Sequence, residues 1–416
     1  VSRVVPLDDA IAHILDRCAP LAPRRVPVAV ASGLVLGAEV ISTEAVPPFA
    51  NTAMDGYAVR AADTEAAPVT LPVVAEVAAG HPAERALGPG EAMRIFTGAP
   101  VPDGADAVVM VEQTERLDEG RSVRIAATVP PGNHLRAAGE DLKPGERLFG
   151  AGDEVTPARL GVLASLGVDE VVAHPRPRVG VISTGDELVT GSAPLRPGQI
   201  RDSNRPTLLA LVAQAGFDPV DLGHVPDDET AITSAIERGA ATCDAVVSSG
   251  GVSMGDIDLV RVVLDRIGDM RWMQVAIRPA KPLAFGLVPG PEGARLPVFG
   301  LPGNPVSSMV SFALFARPGL RRLAGHSAGR LHLPRLSAVT DEPLTRRQDG
   351  KVQFVRVTVT ADAGGGPLRV RSSGGQGSHQ LGAMARADGL VVLPDGDGVG
   401  AGDPVTVMLL GEPATA

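Results

Sequence analysis

Two glycine-rich turns are the residues in this chain best suited to chemistry. Val179-Gly180-Val181-Ile182 runs into Ser183-Thr184-Gly185-Asp186-Glu187, and Asp244-Ala245-Val246-Val247 runs into Ser248-Ser249-Gly250-Gly251-Val252-Ser253. An apolar strand that ends in such a turn and opens a helix leaves backbone N–H groups unpaired at a positive dipole end. That arrangement favours a phosphate or another oxyanion. A third junction, Leu301-Pro302-Gly303-Asn304-Pro305, places Asn304 at the cap and Pro305 at the first helical position. The second turn continues through Met254-Gly255-Asp256-Ile257-Asp258, and carboxylates recur in turns at Asp55, Asp141, Asp186, Glu187, Asp227 and Asp228. Taken singly, each suits a turn or a helix cap. Beside oxyanion turns they suggest a hard cation such as Mg²⁺, which keeps several waters and uses one or two carboxylates plus substrate phosphates. Arg278 and Lys281 lie three apart between Pro279 and Pro282, and prolines lower the entropy of holding two charges in one place.

Several other chemistries are absent from the sequence. No Gly-Lys-Ser/Thr follows the glycine turns, and neither has the G-x-G-x-x-G spacing. There is no Gly-x-Ser-x-Gly elbow and no His-Glu-x-x-His. Of the eight histidines, His379 is the one in a glycine-rich loop. The residues by themselves therefore lead to an α/β enzyme that binds an anionic, phosphorylated small molecule with Mg²⁺.

The positioning elements follow from periodicity. Leu7, Ile11, Ile14 and Leu15 share one face of a helix. Val26–Val30 reads as a strand. From about 68 to 128 there are strands and turns only, at Val69–Val77, Ala92–Phe96, Ala107–Val111 and Val123–Ile125, which suggests a small β unit. Thr156, Pro157 and Gly167 bound a helix over 157–166. From about 178 strands and helices alternate: Val179–Ile182, a helix Pro206–Ala215, Val220–Leu222, Glu229–Glu237, Ala245–Ser248, Asp258–Ile267, Met273–Ile277, Leu283–Leu287, Val298–Phe299, and a helix Pro305–Ala316. That pattern means βαβ units and a mostly parallel sheet. The last 85 or so residues return to strands.

Composition bounds the function class. A net charge of −10 argues against a duplex DNA partner, and only 9 Phe, 1 Tyr and 1 Trp argue against stacking of single strands. Cys18 and Cys243 are too few for a disulfide framework and read as small hydrophobes. No run reaches the roughly 18 apolar residues of a membrane span. The expectation is a soluble cytoplasmic protein with no nucleic-acid or membrane partner.

Longer strings carry a resemblance. Pro47-Pro48-Phe49-Ala50-Asn51-Thr52-Ala53-Met54-Asp55-Gly56-Tyr57-Ala58-Val59-Arg60 resembles the opening signature of the molybdopterin molybdenumtransferases, of which the gephyrin E domain is the animal relative. Further blocks follow in family order: Phe96-Thr97-Gly98-Ala99-Pro100, Gly139-Glu140-Asp141, the turns at 183–188 and 248–253, Ala276-Ile277-Arg278-Pro279, the stretch 300–307, and Gln376-Gly377-Ser378-His379. The resemblance implies a multidomain α/β plus β protein. A discontinuous elongated domain would use 1–46 and 145–177, an inserted β domain 47–144, an α/β molybdopterin-binding-like domain 178–328, and a C-terminal β-barrel 329–416. It implies a homodimer with a cleft between subunits, and an adenylyltransferase upstream and molybdoenzymes downstream as further partners. The implied reaction inserts molybdenum from molybdate into adenylylated molybdopterin, with Mg²⁺-dependent release of AMP.

By matching strings, the implied catalytic residues are Asp55, Thr97, Asp141, Glu187, Asp227 and Asp258. Of these, Glu187, Asp227 and Asp258 fall to Mg²⁺, nucleotide and pterin phosphate on the α/β side. Asp55, Thr97, Arg136 and Asp141 fall to the facing side. Ser183, Thr184, Gly185, Asp186, Ser249, Gly250, Gly251, Ser253, Pro302, Gly303, Asn304 and Pro305 are the implied cofactor-binding turns. Arg278, Lys281, Arg356 and Ser378 form the implied molybdate set, a cationic pocket with a hydroxyl for a tetrahedral dianion. The chain departs from the family pattern at Ala50, where Asp is common, and at Arg278-Pro279-Ala280, where Lys-Pro-Gly is common. Two other readings stand beside this one: an adenylyltransferase acting one step earlier, and a non-catalytic dimeric cofactor-binding scaffold.

Overall fold

The first helix, Leu7–Arg17, carries Asp8 and Asp9 in its first turn and Arg17 in its last, which complements its dipole. Its buried residues, Ala10 and Ile14, join a core with Phe285, Phe299 and Leu320. The helix is thus anchored on the α/β layer although it opens the chain. The computed structural model describes residues 4–251, 259–361, 364–411 and 414–415.

Arg24–Pro27 and Val35–Leu36 both pair antiparallel with Glu170–His174, across more than a hundred residues of intervening chain. The strand expected over 26–30 stops at Pro27, and Val28–Val30 forms a 3₁₀ turn. Pro27 has no N–H with which to extend a ladder. The helix Pro157–Ser165 covers this sheet, with Thr156 Oγ1 accepting from the Arg159 N–H at its start. Between these pieces lies a six-stranded sheet in the order 107–110, 56–59, 92–95, 69–77, 122–125, 114–117. Its ladders are antiparallel except that between Val69–Val77 and Ala92–Ile95.

The expected mostly parallel sheet is present. Its order is Asp218–Val225, Arg178–Thr184, Ala245–Ser249, Arg295–Leu301, Pro282–Pro289, Asp269–Gln274. The first four strands are parallel, and Pro282–Pro289 is antiparallel to both its neighbours, so Asp269–Gln274 runs in the direction of the first four. The connections decide this, because a parallel return needs a dozen or more residues and the 290–294 turn is far shorter. The helix expected from Pro206 begins at Asn204. Pro206 sits in the first turn, where a missing N–H costs no bond. The helix expected over 305–316 runs to Leu323 and widens to a π turn at Phe312–Ala316. Pro318, two residues on, cannot donate to the preceding turn, which relieves the tighter α spacing there.

The C-terminal strands close on themselves. Val352–Ala361, Leu368–Ser372, Arg335–Thr340, Pro404–Leu409 and Gly389–Leu393 pair in turn, and the last returns to the first. Closure removes the exposed edges of an open sheet. Val355, Val357, Val359, Val370, Val391 and Val407 fill the interior. Cys18 is buried, and burial pushes its thiol up to about 12, so it behaves as a small apolar side chain. Among the described residues no helix is long and apolar enough to cross a membrane.

Phe299 is fully buried where the first helix meets the sheet. Phe299→Ala should lower stability by about 3–5 kcal/mol. Asp228 caps the Glu229–Thr242 helix by accepting from the Ala231 N–H at 2.8 Å, and Asp228→Ala should cost about 1 kcal/mol. Chemical denaturation measures both.

Candidate active site

The four parallel strands end at a common edge, and a cavity of about 800 Å³ opens there. Its floor is made by Thr184 and Gly185, by Ser249, Gly250 and Gly251, and by Pro302, Gly303, Asn304 and Pro305. Gly250 and Gly251 have φ of +95° and +70°. A Cβ on Gly250 would stand 2.9 Å from the Thr184 carbonyl oxygen, and one on Gly251 2.3 Å from Val260 Cγ2. Only glycine allows this approach of the two turns.

Four of the sequence-identified acids divide by what their oxygens do. Asp186 accepts from the Asp227 N–H at 3.1 Å and Asp228 accepts from the Ala231 N–H. These two are turn and cap residues. Glu187 and Asp227 line the cavity, are exposed, and have no protein donor on their carboxylates among the described residues. Ser183 lies beneath the floor, fully buried, and donates to Asp202 at 2.6 Å. Ser253, Asp256 and Asp258 fall outside the described residues.

The structure adds Asp202, Ser203 and Asn204 to the cavity wall, and the sequence reading had passed over them. Asn204 Nδ2 donates to Ser249 Oγ at 2.7 Å and to the Gly303 carbonyl at 2.6 Å. One side chain thereby ties the second turn to the third. Asp202 also accepts from the Arg205 N–H at 3.1 Å and from Arg205 Nε at 3.2 Å. The Asp-Ser-Asn string before an apolar helical run is a helix-start signal that could have marked this position.

None of the expected molybdate residues Arg278, Lys281, Arg356 and Ser378 lines this cavity. The Val306 N–H donates to the Ser378 carbonyl at 3.1 Å, so the Ser378 loop meets the helix that follows Asn304. Arg356 is fully buried in the Val352–Ala361 strand. Its Nη2 donates to the carbonyls of Gly375 at 2.6 Å and Gly377 at 3.2 Å. Its Nε and Nη1 are buried without acceptors, and burial pulls its pKa below the usual guanidinium value. Arg278 is exposed and held by Asp349 at 2.5 Å. Lys281 is exposed and directly precedes Pro282 of the cavity wall. Ala280, where glycine is common in the resembling family, has φ of +75°, so it keeps the left-handed backbone that glycine adopts most easily.

Asp55, Thr97, Arg136 and Asp141 do not line this cavity. They lie between residues 46 and 142, around the six-stranded sheet. Asp55 Oδ1 accepts from the Thr97 N–H and from Thr97 Oγ1, both at 2.8 Å. Those bonds, with the charge of Arg94, hold Asp55 below the ordinary carboxylate range. Arg94 lies over the rings of Tyr57 and Phe96, 5.1 and 4.9 Å from their centroids, and donates to the Gly56 carbonyl. Arg136 is exposed on a short strand paired with Asn51–Thr52. The Asp141 N–H donates to the Val46 carbonyl, leaving its carboxylate exposed.

Residues 5–167 match the MoeA N-terminal region (domain I and II), residues 180–322 a probable molybdopterin binding domain, and residues 338–410 the MoeA C-terminal region (domain IV). Molybdopterin molybdenumtransferase 2 of Mycobacterium tuberculosis is 41% identical over 395 residues, 92% of this chain and 93% of that one. The chain belongs to the molybdopterin molybdenumtransferase family. The molybdopterin molybdenumtransferase of Haemophilus influenzae is 36% identical over 406 residues, 97% of this chain and 98% of that one. A solved molybdopterin biosynthesis MoeA protein from Pyrococcus horikoshii superposes with a TM-score of 0.79 at 28% identity, covering 98% of this chain and 100% of that one. The cavity of this molybdenumtransferase-family chain lies within the stretch matched as a molybdopterin binding domain.

Thr97 generates a pH prediction. The Asp55 carboxyl is lowered on folding, so its contribution to stability is complete above the unfolded carboxylate value and is lost as pH falls through the lowered one. Thr97→Val removes one of the two donors. Carbon-detected NMR titration should then show the Asp55 pKa moving up toward the ordinary range.

Proposed function

We propose that this chain takes adenylylated molybdopterin and molybdate, places molybdenum on the dithiolene sulfurs and releases AMP. The observation that carries this reading is the cavity in which three strand-end turns meet two carboxylates that have no donor among the described residues. The turns bind the phosphate oxygens through backbone N–H groups. Asn204 keeps two of those turns at fixed spacing, so the substrate phosphates meet a preformed surface.

The donor set suits Mg²⁺, which accepts one or two carboxylates and completes its shell with water and substrate phosphate. Glu187 and Asp227 would hold it, with Asp258 as the third expected residue. When bound, Mg²⁺ supplies positive charge to the phosphoanhydride and to the leaving AMP. We assign Arg356 to the substrate dianion: a buried guanidinium whose Nε and Nη1 lack acceptors is costly unless an acceptor arrives. Lys281, Arg278 and Ser378 complete that oxyanion set. Arg presents a planar fork where the family often has the point charge of Lys.

Asp55, Thr97, Arg136 and Asp141 stand apart from the cavity of their own chain. We assign them to the facing wall of a cleft completed by a second copy, in a cytoplasmic homodimer. On this reading the β region 47–144 is an insertion that reaches across, while 1–46 and 145–177 carry it and 329–416 supplies the molybdate side.

The test mixes purified protein with adenylylated molybdopterin, Mg²⁺ and graded molybdate, and follows AMP release and protein-bound molybdenum. Molybdate-dependent AMP release is expected. Tight substrate binding without AMP release would overturn the reading in favour of a carrier, and ATP consumption with molybdopterin in favour of an adenylyltransferase. Glu187→Gln and Asp227→Asn should each slow AMP release by about 100-fold or more with little change in folding. Arg356→Met should raise the molybdate concentration needed for half-maximal rate about tenfold or more, with nucleotide affinity retained.

A further inference from the structure

A second cavity, of about 810 Å³, opens between the Leu7–Arg17 helix, the Arg317–Leu323 helix and the segment 329–335. It shares no lining residue with the first. Arg317, Arg321, Arg330, His332 and Arg335 line it, and Asp8 is the one carboxylate among the described lining residues.

This concentration of charge is energetically costly as it stands. Arg317 and Arg321 are four apart on one helix, where like charges repel. Arg317 is partly buried, and its one described acceptor is the Leu331 carbonyl, 3.0 Å from Nη1. Burial and the neighbouring Arg321 charge pull it down to about 10. Arg321 spends Nε on the Arg330 carbonyl at 2.6 Å, and its nearest carboxylate, Glu154, is 3.8 Å away. The chain carries 48 acidic residues against 38 Lys and Arg, yet among the described residues this groove is lined by four arginines and one carboxylate, with Glu154 paired to Arg321 from outside the lining. An arriving anion would offset both the repulsion and the burial.

Apolar side chains also line the groove. Ile11 and Leu15 come from the first helix, and Leu333 and Pro334 from the segment leading into the barrel. Basic and apolar side chains lining one groove fit a compact molecule with a multiply charged part and an organic part. Arginine forks match phosphate oxygens two at a time. The volume is within the range of about 300–1,000 Å³ found for small-molecule pockets.

We propose that this groove is a binding site for a small organic polyphosphate, separate from the molybdopterin cavity. The arginines take the phosphates, and Ile11, Leu15 and Leu333 take the organic part.

The test uses the full chain with tripolyphosphate and ADP as probes, read by calorimetry and thermal shift. Sulfate at matched ionic strength is the control. Saturable binding is expected, with Tm rising with the logarithm of probe concentration above its Kd. Arg330 and Arg335 are exposed, so Arg330→Gln with Arg335→Gln should leave folding intact and weaken tripolyphosphate about tenfold or more. ADP should bind more tightly than tripolyphosphate once corrected for charge, and Leu15→Ser should remove that difference. Tripolyphosphate binding that survives Asp227→Asn but not the arginine pair supports the proposal. Binding lost with Asp227→Asn and kept by the arginine pair overturns it, as does a Tm rise that sulfate reproduces. Self-association abolished by the arginine pair, with no probe binding, overturns it in favour of an interface between copies.

Discussion

Four parallel strands stop side by side, and their carboxyl ends cannot stay unpaired in a dry interior. That constraint organises the rest of the molecule. Asp218–Val225 and Arg295–Leu301 turn into a helix within four residues. The turn after Thr184, expected to open a helix, leads first into the paired strands Leu188–Val189 and Ile200–Arg201 and reaches its helix at Asn204. The turns lie close enough to share one cavity. Gly250 and Gly251 permit the approach because a Cβ at either would collide with Thr184 or Val260. Asn204 then fixes it with two hydrogen bonds from one amide nitrogen. The first helix, the π-widened helix after Asn304 and the barrel all pack on the outer face of this same sheet.

The acids around the cavity show how one residue type divides its labour. Asp186, Asp202 and Asp228 spend their oxygens on protein donors. That holds the turns and the helix starts in place. Glu187 and Asp227 have no donor on theirs among the described residues and stand at the cavity wall. The difference is one of position along a few residues of backbone, and it separates the groups that build the site from those able to act in it.

The net charge of −10 sets the electrostatic problem for an anionic substrate. Local positive potential has to be built against the field of the whole chain. Backbone N–H groups of the turns can supply part of this, and Arg356 stands fully buried on its barrel strand with Nε and Nη1 uncommitted. Arg278 contributes less free charge than its sequence position suggests, because Asp349 holds it and also binds Lys351 at 2.8 Å and Arg346 at 3.1 Å.

The sequence by itself determined the class of structure and the identity of the turns. Alternating apolar runs and bounded helices gave the parallel sheet, because side-chain periodicity is a local property of backbone geometry. The signature strings gave the family, and the glycine turns at 184–185 and 250–251 do line the cavity. The role of each acid was not legible, because whether a carboxylate caps a helix or faces a cavity depends on neighbours distant in sequence. Asp186 meets Asp227 across 41 residues, and Asn204 meets Gly303 across 99. The burial of Arg356, the capture of Arg278 by Asp349 and the separation of Asp55 from the main cavity were likewise decided only in three dimensions. Packing and long-range hydrogen bonds set those outcomes, and neither leaves a periodic mark on the chain.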